Sequence, residues 1–204
     1  MDGLKKLALA AMAVLAVPQL FSQASVVGTE AGKLQGVTQG PVESFKGVPF
    51  AAPPVGDLRW RAPQPVQPWF DVRQANDYSA DCMQVPFPSD AAPLGTKPAE
   101  DCLYLNVWRP ASTKADAKLP VMFWIYGGGF VNGGSSPTVY DGSKFAEKGV
   151  VFVSANYRLV LQLQIEDWEW RSALSVVASQ SMELMFSSPS GPVEKMLNAV
   201  PSSP

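Results

Sequence analysis

Residues 121–129, VMFWIYGGG, decide the fold because an apolar strand ends abruptly in three glycines. Residues 121–126 are apolar on both alternating faces, which is typical of a central strand covered by helices on each side. The glycines remove every side chain from the following backbone and leave its N–H groups open to a closely approaching oxyanion or phosphate. A tight turn without a ligand is the alternative interpretation.

The residues on either side of this stretch predict a βαβ unit. Residues 103–108 and 150–157 predict two further strands, and residues 142–148 predict a short helix before the second of them. This order is typical of an open sheet whose functional loops gather at the carboxyl ends of the strands. We therefore predict the α/β fold class, with small antiparallel strands over residues 25–51 preceding the large sheet.

The spacing of the glycines distinguishes between a phosphate-binding loop and an oxyanion hole. A phosphate loop requires GxxxxGK followed by Ser or Thr, or GxGxxG opening a helix, and residues 127–134 satisfy neither pattern. An oxyanion hole for acyl transfer requires only bare backbone amides, and glycine-rich loops after this strand serve that purpose in α/β-hydrolases. The sequence therefore favours an oxyanion site over a phosphate site.

The first 24 residues predict a secretory signal peptide. Lys5 and Lys6 give a basic start, residues 7–17 are an unbroken apolar run, and small residues precede a cleavage site after Ala24. A buried N-terminal helix is the alternative. An apolar run this short cannot span a bilayer, so we expect no membrane span and a secreted or periplasmic location.

Export also changes the interpretation of the two cysteines. Cys82 and Cys102 are the only pair in the chain, so a disulfide is the economical prediction for an oxidising compartment. Two unpaired buried thiols are the alternative. Because two cysteines without any histidine cannot form a four-ligand zinc site, we expect no metal and no cofactor. The formal net charge of −2 and the lack of a basic cluster argue against a nucleic-acid partner.

Several ordered motifs resemble the type-B carboxylesterase and cholinesterase family of α/β-hydrolases. The stretch EDCLYLNVW at residues 100–108 resembles the family's second signature, and WIYGGGF at residues 124–130 is similar to its oxyanion loop. FKGVPFA at residues 45–51, PPVG and LRW within residues 53–60, and SANYRL at residues 154–159 are similar to other stretches of the family.

The resemblance covers about residues 26–159 and implies the incomplete N-terminal part of an α/β-hydrolase fold, a partial carboxylesterase domain over residues 25–159. It implies that Gly128 and Gly129 supply two backbone N–H donors to the tetrahedral intermediate of hydrolysis of a small-molecule ester. A third donor would come from the residue after the nucleophile. Tyr126 stands where some members have histidine and others tyrosine.

The same resemblance implies two structural links. Cys82 and Cys102 would form the family's first disulfide. Arg59 and Glu100 would form its structural ion pair, joining the proline-rich segment to the base of the disulfide loop. An exposed ion pair of this kind contributes little to stability.

The catalytic residues of the family are not found in this sequence. No GxSxG nucleophile elbow occurs: GGSSP at residues 133–137 lacks the final glycine, and Ser135 and Ser136 are interpreted as turn residues. The chain has no histidine, so a serine hydroxyl would have no imidazole base. We predict an ester-hydrolase fragment that is inactive alone. A non-catalytic exported binding or adhesion module is the alternative.

Residues 160–204 resemble nothing in the family, and nine of the nineteen serines lie after Arg171. We expect a non-homologous tail, frameshifted or disordered. The hypothesis is that a frameshift or mispredicted reading frame replaced the homologous continuation shortly after Arg158.

Overall fold

The computed structural model describes residues 21–59, 61–85, 87, 89–114 and 117–159. The tail over residues 160–204 and residues 1–20 of the predicted signal peptide lie outside the described residues. No helix in these described ranges has the length and apolar character needed to cross a membrane.

The described residues form one mixed sheet with the strand order β1-β2-β3-β5-β7-β6, and β4 pairs with β2 beside this path. The strands are β1 Phe21–Gly28, β2 Lys33–Gln39, β3 Val42–Pro49, β4 Val72–Gln74, β5 Tyr104–Pro110, β6 Val121–Trp124 and β7 Val151–Ala155. One α-helix, α1, covers Ser143–Ala146, and two short 3-10 turns cover Gly56–Leu58 and Thr138–Tyr140. Few helices therefore accompany the sheet in this part of the chain.

The first strand begins earlier than the predicted start of the mature chain. β1 pairs antiparallel with β2 from Phe21 opposite Gln39, with a register shift between Gln23 and Val26. The predicted cleavage site after Ala24 thus lies inside β1, and the Ala24 side chain is buried. A mature chain that starts at Ser25 would lose the first half of this strand. Cleavage there remains a prediction.

The βαβ unit lies where the periodicity predicts it. β6 and β7 run parallel, and α1 lies between them in the chain. The helix is shorter than predicted because residues 147–149 form a turn that ends at Gly149, whose φ of 80° stops the helix. Its buried Ala146 belongs to a small apolar cluster with Trp108 and Phe152.

The centre of the sheet is β5, whose residues 105–109 are buried on both faces. Leu105 and Val107 pack in the main core, whereas Trp108 packs edge-on against Phe152 on the other side, with ring centroids 5.7 Å apart. Alternation along an extended strand sends neighbouring side chains to opposite faces. The core therefore occupies both sides of β5, as an α/β sheet requires.

β6 differs from its prediction as a central strand. Among the described residues it is the edge strand beyond β7. Val121, Met122 and Trp124 expose 47%, 41% and 37% of their surface, and Ile125 after the strand exposes 51%. Its side chains are apolar on both faces, which is typical of a strand with a neighbour on each side and helices over both faces. The described residues supply neither the second neighbouring strand nor these covering helices.

We expect this exposed edge to drive self-association. Replacing Met122 by lysine should raise the protein concentration at which oligomers form by about tenfold, because a charged edge opposes strand pairing. Light scattering after size exclusion measures the change. The control is Val139→Lys, an exposed apolar position outside the sheet. Equal association of the Met122→Lys variant and the parent chain would contradict this expectation.

Candidate functional site

Two loops meet at the carboxyl end of β6. The glycine loop, residues 127–134, follows this strand, and the disulfide loop comprises residues 82–102. A disulfide joins the buried Cys82 and Cys102, with 2.03 Å between their Sγ atoms. This link fixes both ends of the disulfide loop beside the glycine loop.

We expect removal of this disulfide to destabilise the fold. Replacing Cys82 and Cys102 together by alanine should lower the free energy of unfolding by about 3 kcal/mol, because the unfolded chain gains the freedom of an open loop. Urea unfolding of the parent and the double variant measures the difference. The parent chain treated with reductant serves as the control and should shift in the same direction. Coincident unfolding curves would refute the expectation.

A pair of tyrosines holds the start of the glycine loop. The Tyr126 hydroxyl donates to the Tyr157 carbonyl at 3.2 Å, and the Tyr157 hydroxyl donates to the Tyr126 carbonyl at 2.7 Å. Their rings stack with centroids 4.3 Å apart. Burial raises the pKa of the Tyr126 phenol well above its usual value, so this hydroxyl stays protonated and able to donate.

The backbone of the glycine loop turns sharply at Gly128. This residue has a φ of 119°, Gly129 has 60°, and Phe130 follows at 61°, where non-glycine residues are uncommon. The Gly128 carbonyl accepts hydrogen bonds from the N–H groups of Val131 at 3.0 Å and Asn132 at 3.3 Å. A Cβ on Gly128 would overlap the Asn132 carbonyl oxygen, so glycine is required there.

The predicted oxyanion donors are exposed and have no hydrogen-bond acceptor among the described residues. Gly128 and Gly129 lie on the surface of the turn, and neither N–H group donates a hydrogen bond to another of the described residues. Such amides are available to an acceptor outside the protein. This is the chemistry that stabilises a developing oxyanion.

A cavity of about 420 Å³ separates the two loops. Gly127 and Gly128 form part of one wall, and Phe87 and Asp90 of the disulfide loop contribute to the other, with Tyr140 also lining the cavity. A small ester fits within this volume. A ligand bound in the cavity would lie against the glycine loop.

Ser135 and Ser136 are more than turn residues. Both side chains are at most 3% exposed, and both backbone N–H groups donate to the Asp81 carboxylate, at 3.0 and 3.3 Å. The Ser136 hydroxyl also donates to Asp81, and the Ser135 hydroxyl accepts from Asn106. The turn interpretation missed this network because it forms between residues distant in sequence.

Burial disfavours the charged form of the Asp81 carboxyl. Burial raises its pKa, and the hydrogen bonds from Ser136, Thr96 and Ser135 oppose that shift only in part. A carboxyl whose pKa rises on folding stabilises the fold below its unfolded pKa, and that contribution is lost as pH rises through the folded pKa. Burial is the main cause of the raised pKa values of the Tyr78 and Tyr126 phenols, and the charge of Asp81 raises both further.

Arg59 and Glu100 lie together at the base of the disulfide loop. The guanidinium donates from Nε at 2.6 Å and from Nη2 at 2.7 Å to the two carboxylate oxygens. The hydrogen bond from Arg59 lowers the pKa of Glu100, so any stabilisation is present above its unfolded pKa and is lost as pH falls through the folded pKa. With side chains 51% and 34% exposed, the pair contributes little.

The mixed sheet, the βαβ unit and the glycine loop at a strand end define a chain of the α/β-hydrolase class. Residues 23–161 match the family model of the carboxylesterase family. The chain therefore belongs to this family. The predicted resemblance and fold class are confirmed.

Individual relatives agree with this assignment. Over 153 residues the chain is 45% identical to the fumonisin B1 esterase of Sphingopyxis macrogoltabida, covering 74% of this chain and 27% of the relative. It is 45% identical over 139 residues to the para-nitrobenzyl esterase of Bacillus subtilis strain 168, covering 66% of this chain and 27% of that protein. A solved PNB esterase superimposes with a TM-score of 0.69 at 35% identity, over 84% of this chain and 36% of that structure. The chain thus spans about a quarter of the length of these curated relatives.

Proposed function

We propose that this chain carries the oxyanion-stabilising part of a secreted carboxylic-ester hydrolase and does not hydrolyse esters by itself. The single observation behind the proposal is the exposed turn at Gly128 and Gly129, whose N–H groups have no acceptor among the described residues. Membership of the carboxylesterase family supplies the reaction class.

The chemistry requires donors where negative charge develops. Attack on an ester carbonyl converts its oxygen into an oxyanion, and preformed N–H donors stabilise that charge without reorganising in the transition state. The amides of Gly128 and Gly129 would take this role, and the adjacent cavity would hold the ester. Removal of one such donor typically lowers kcat by about 100- to 1,000-fold.

The remaining catalytic groups are not present in the 204 residues. The sequence contains no histidine and no GxSxG motif, and the two serines after the glycine loop are buried as hydrogen-bond partners of Asp81. Without a histidine base, no serine hydroxyl transfers its proton in the manner of the family. We therefore expect no hydrolysis of p-nitrophenyl acetate above background and no labelling by a fluorophosphonate probe.

The proposed secreted location agrees with the chemistry of the two cysteines. The disulfide between Cys82 and Cys102 suits an oxidising compartment, where such bonds persist. Amino-terminal sequencing of exported protein tests the cleavage site. A first residue of Ser25 supports the proposal, whereas retention of residues 1–24 contradicts it.

A chimera tests whether the glycine loop is functional. Residues 25–159 of this chain replace the segment of the Bacillus subtilis para-nitrobenzyl esterase that they match, and the relative supplies the rest. We expect the purified chimera to hydrolyse a para-nitrobenzyl ester, whereas the 204-residue chain does not. A folded chimera that binds the ester but has no activity would overturn the proposed role, as would labelling of a serine in the chain alone.

A further inference from the structure

The exit of the glycine loop is held by a side chain of the disulfide loop. The Gln84 amide forms two hydrogen bonds with Gly133: Oε1 accepts from the Gly133 N–H at 2.8 Å, and Nε2 donates to its carbonyl at 2.6 Å. Gln84 is 6% exposed, and its Nε2 also donates to the Cys82 carbonyl at 3.0 Å. The amide thus pairs with the backbone of Gly133 as a neighbouring strand would.

A second side chain, on the other side of Cys82, holds the next residues. The fully buried Asp81 carboxylate accepts from the Ser135 and Ser136 N–H groups through Oδ1. Its Oδ2 accepts from the Ser136 hydroxyl and, at 2.9 Å, from the Thr96 hydroxyl. A Cβ on Gly134 would overlap this carboxylate, so the backbone lies directly against it.

These contacts leave only a short segment between two fixed points. Tyr126 is held by Tyr157 at the start of the loop, and Gly133 is held by Gln84 at its end. Residues 127–132 between them contain the turn that presents the proposed donors. The placement of those donors therefore depends on where the exit of the loop is held, and oxyanion stabilisation is sensitive to displacements of about 1 Å.

We propose that Asp81 and Gln84 are positioning residues, which hold the exit of the glycine loop so that the amides of Gly128 and Gly129 face one acceptor. This inference rests on the proposed function of those two amides. Neither side chain touches the reacting atoms in this scheme, and each acts through residues 133–136. Asp81 and Gln84 lie on either side of Cys82 in the chain, so the disulfide restrains the backbone from which both side chains extend.

The sequence allows the two amides to be observed selectively. Among its 16 glycines, only Gly128, Gly129 and Gly134 directly follow another glycine. In the full chain labelled with glycine carrying both ¹³C at the carbonyl and ¹⁵N, an HNCO spectrum therefore contains only these three amide signals. The Gly134 signal shows whether the end of the glycine loop has been displaced. The Gly128 and Gly129 signals show whether the two donor amides have moved.

Three variants and one control distinguish a positioning role from a general loss of stability. Gln84→Met keeps the side-chain volume and removes both hydrogen bonds to Gly133. Asp81→Ala removes the carboxylate oxygens that accept hydrogen bonds from Ser135, Ser136 and Thr96. Asp81→Asn is the conservative variant: its carbonyl accepts from the two serine amides, and its NH₂ donates to hydroxyls that also accept. Val27→Ala removes buried volume in β1, which pairs with β2, and is the control for destabilisation.

In the ligand-free chain, we expect Gln84→Met and Asp81→Ala to move all three signals, because release of residues 133–136 changes the backbone conformation of the glycine loop. Asp81→Asn should restore the parent positions, and Val27→Ala should leave them unchanged. If only Gly134 moves in Gln84→Met, or if Val27→Ala moves Gly128 and Gly129 equally, the positioning role is overturned. Should Asp81→Ala fail to fold, Gln84→Met and Asp81→Asn decide the question.

Titration with methylphosphonate, a tetrahedral anion, separates this inference from the proposed function. We expect shifts at Gly128 and Gly129 in the parent chain and about tenfold weaker binding in Gln84→Met. Equal affinity of these two proteins would overturn positioning. Absence of binding to the parent, with the donor signals still dependent on Gln84, would count against the oxyanion role and leave the positioning of the loop supported.

Discussion

Replacing Gly128 by alanine in the esterase chimera is expected to lower kcat by about 100- to 1,000-fold, with a smaller change in KM. Gly128 has a φ of 119°, and a Cβ at this position would overlap the Asn132 carbonyl oxygen. The turn must therefore open, which displaces the amides of Gly128 and Gly129 from the developing oxyanion. Steady-state kinetics with a para-nitrobenzyl ester measure the loss.

The neighbouring glycine provides the matched control. Gly127 is not among the residues with positive φ, and a Cβ built on it meets nothing within 4 Å. Gly127→Ala adds the same methyl group one residue earlier, on the cavity wall, and so controls for crowding of the ester: we expect KM to rise and kcat to stay within about threefold of the parent chimera, a difference of under 1 kcal/mol. Equal losses in the two variants would show that the effect does not depend on the Gly128 turn.

Replacing Arg109 by methionine is expected to lower the free energy of unfolding by about 3–5 kcal/mol. Arg109 lies opposite Glu43 in the pairing of β3 with β5, and its Nη2 is 2.8 Å from the Glu43 carboxylate. Both side chains are 5% exposed. Methionine removes the positive charge that lies against this buried carboxylate. Urea unfolding measures the loss.

The double variant Glu43→Leu with Arg109→Met distinguishes charge from volume. Replacing both members by apolar side chains of similar size also removes the buried carboxylate, so we expect recovery of most of the stability lost in Arg109→Met. This comparison also tests the packing of Arg109 over the Phe45 ring, where its guanidinium carbon lies 5.5 Å from the centroid. If the double variant is as unstable as the single one, lost packing rather than charge is the cause.

Local sequence patterns predicted the elements of the large sheet because their signals are local. The apolar runs at residues 121–126 and 150–157 gave β6 and β7, and the three glycines ended β6 in a turn. The bounds of β5, β6 and β7 differ from the predicted ones by at most two residues, since hydrogen bonding to neighbours decides where a strand ends. The position of β6 at the edge could not be inferred, because an apolar run does not reveal which neighbours it has.

The site was predictable only on the side that carries the glycines. The resemblance named Gly128 and Gly129 from their motif, whereas Gln84 and Asp81 have no local signal. Gln84 lies 49 residues from Gly133 and Asp81 lies 54 from Ser135. A single glutamine or aspartate near a cysteine is compatible with any surface loop, and only the folded chain shows that these two are buried against the glycine loop.

The sequence by itself determined the family, the class of sheet, the bare backbone at residues 127–129 and the lack of a histidine base. These properties depend on residue type and on spacing over a few positions. The tertiary structure alone decided that the disulfide loop lies beside the glycine loop, that Ser135 and Ser136 are buried, and that Asp81 accepts their amides. Such contacts join residues far apart in the chain, so burial and hydrogen bonding fix them only after the sheet has formed.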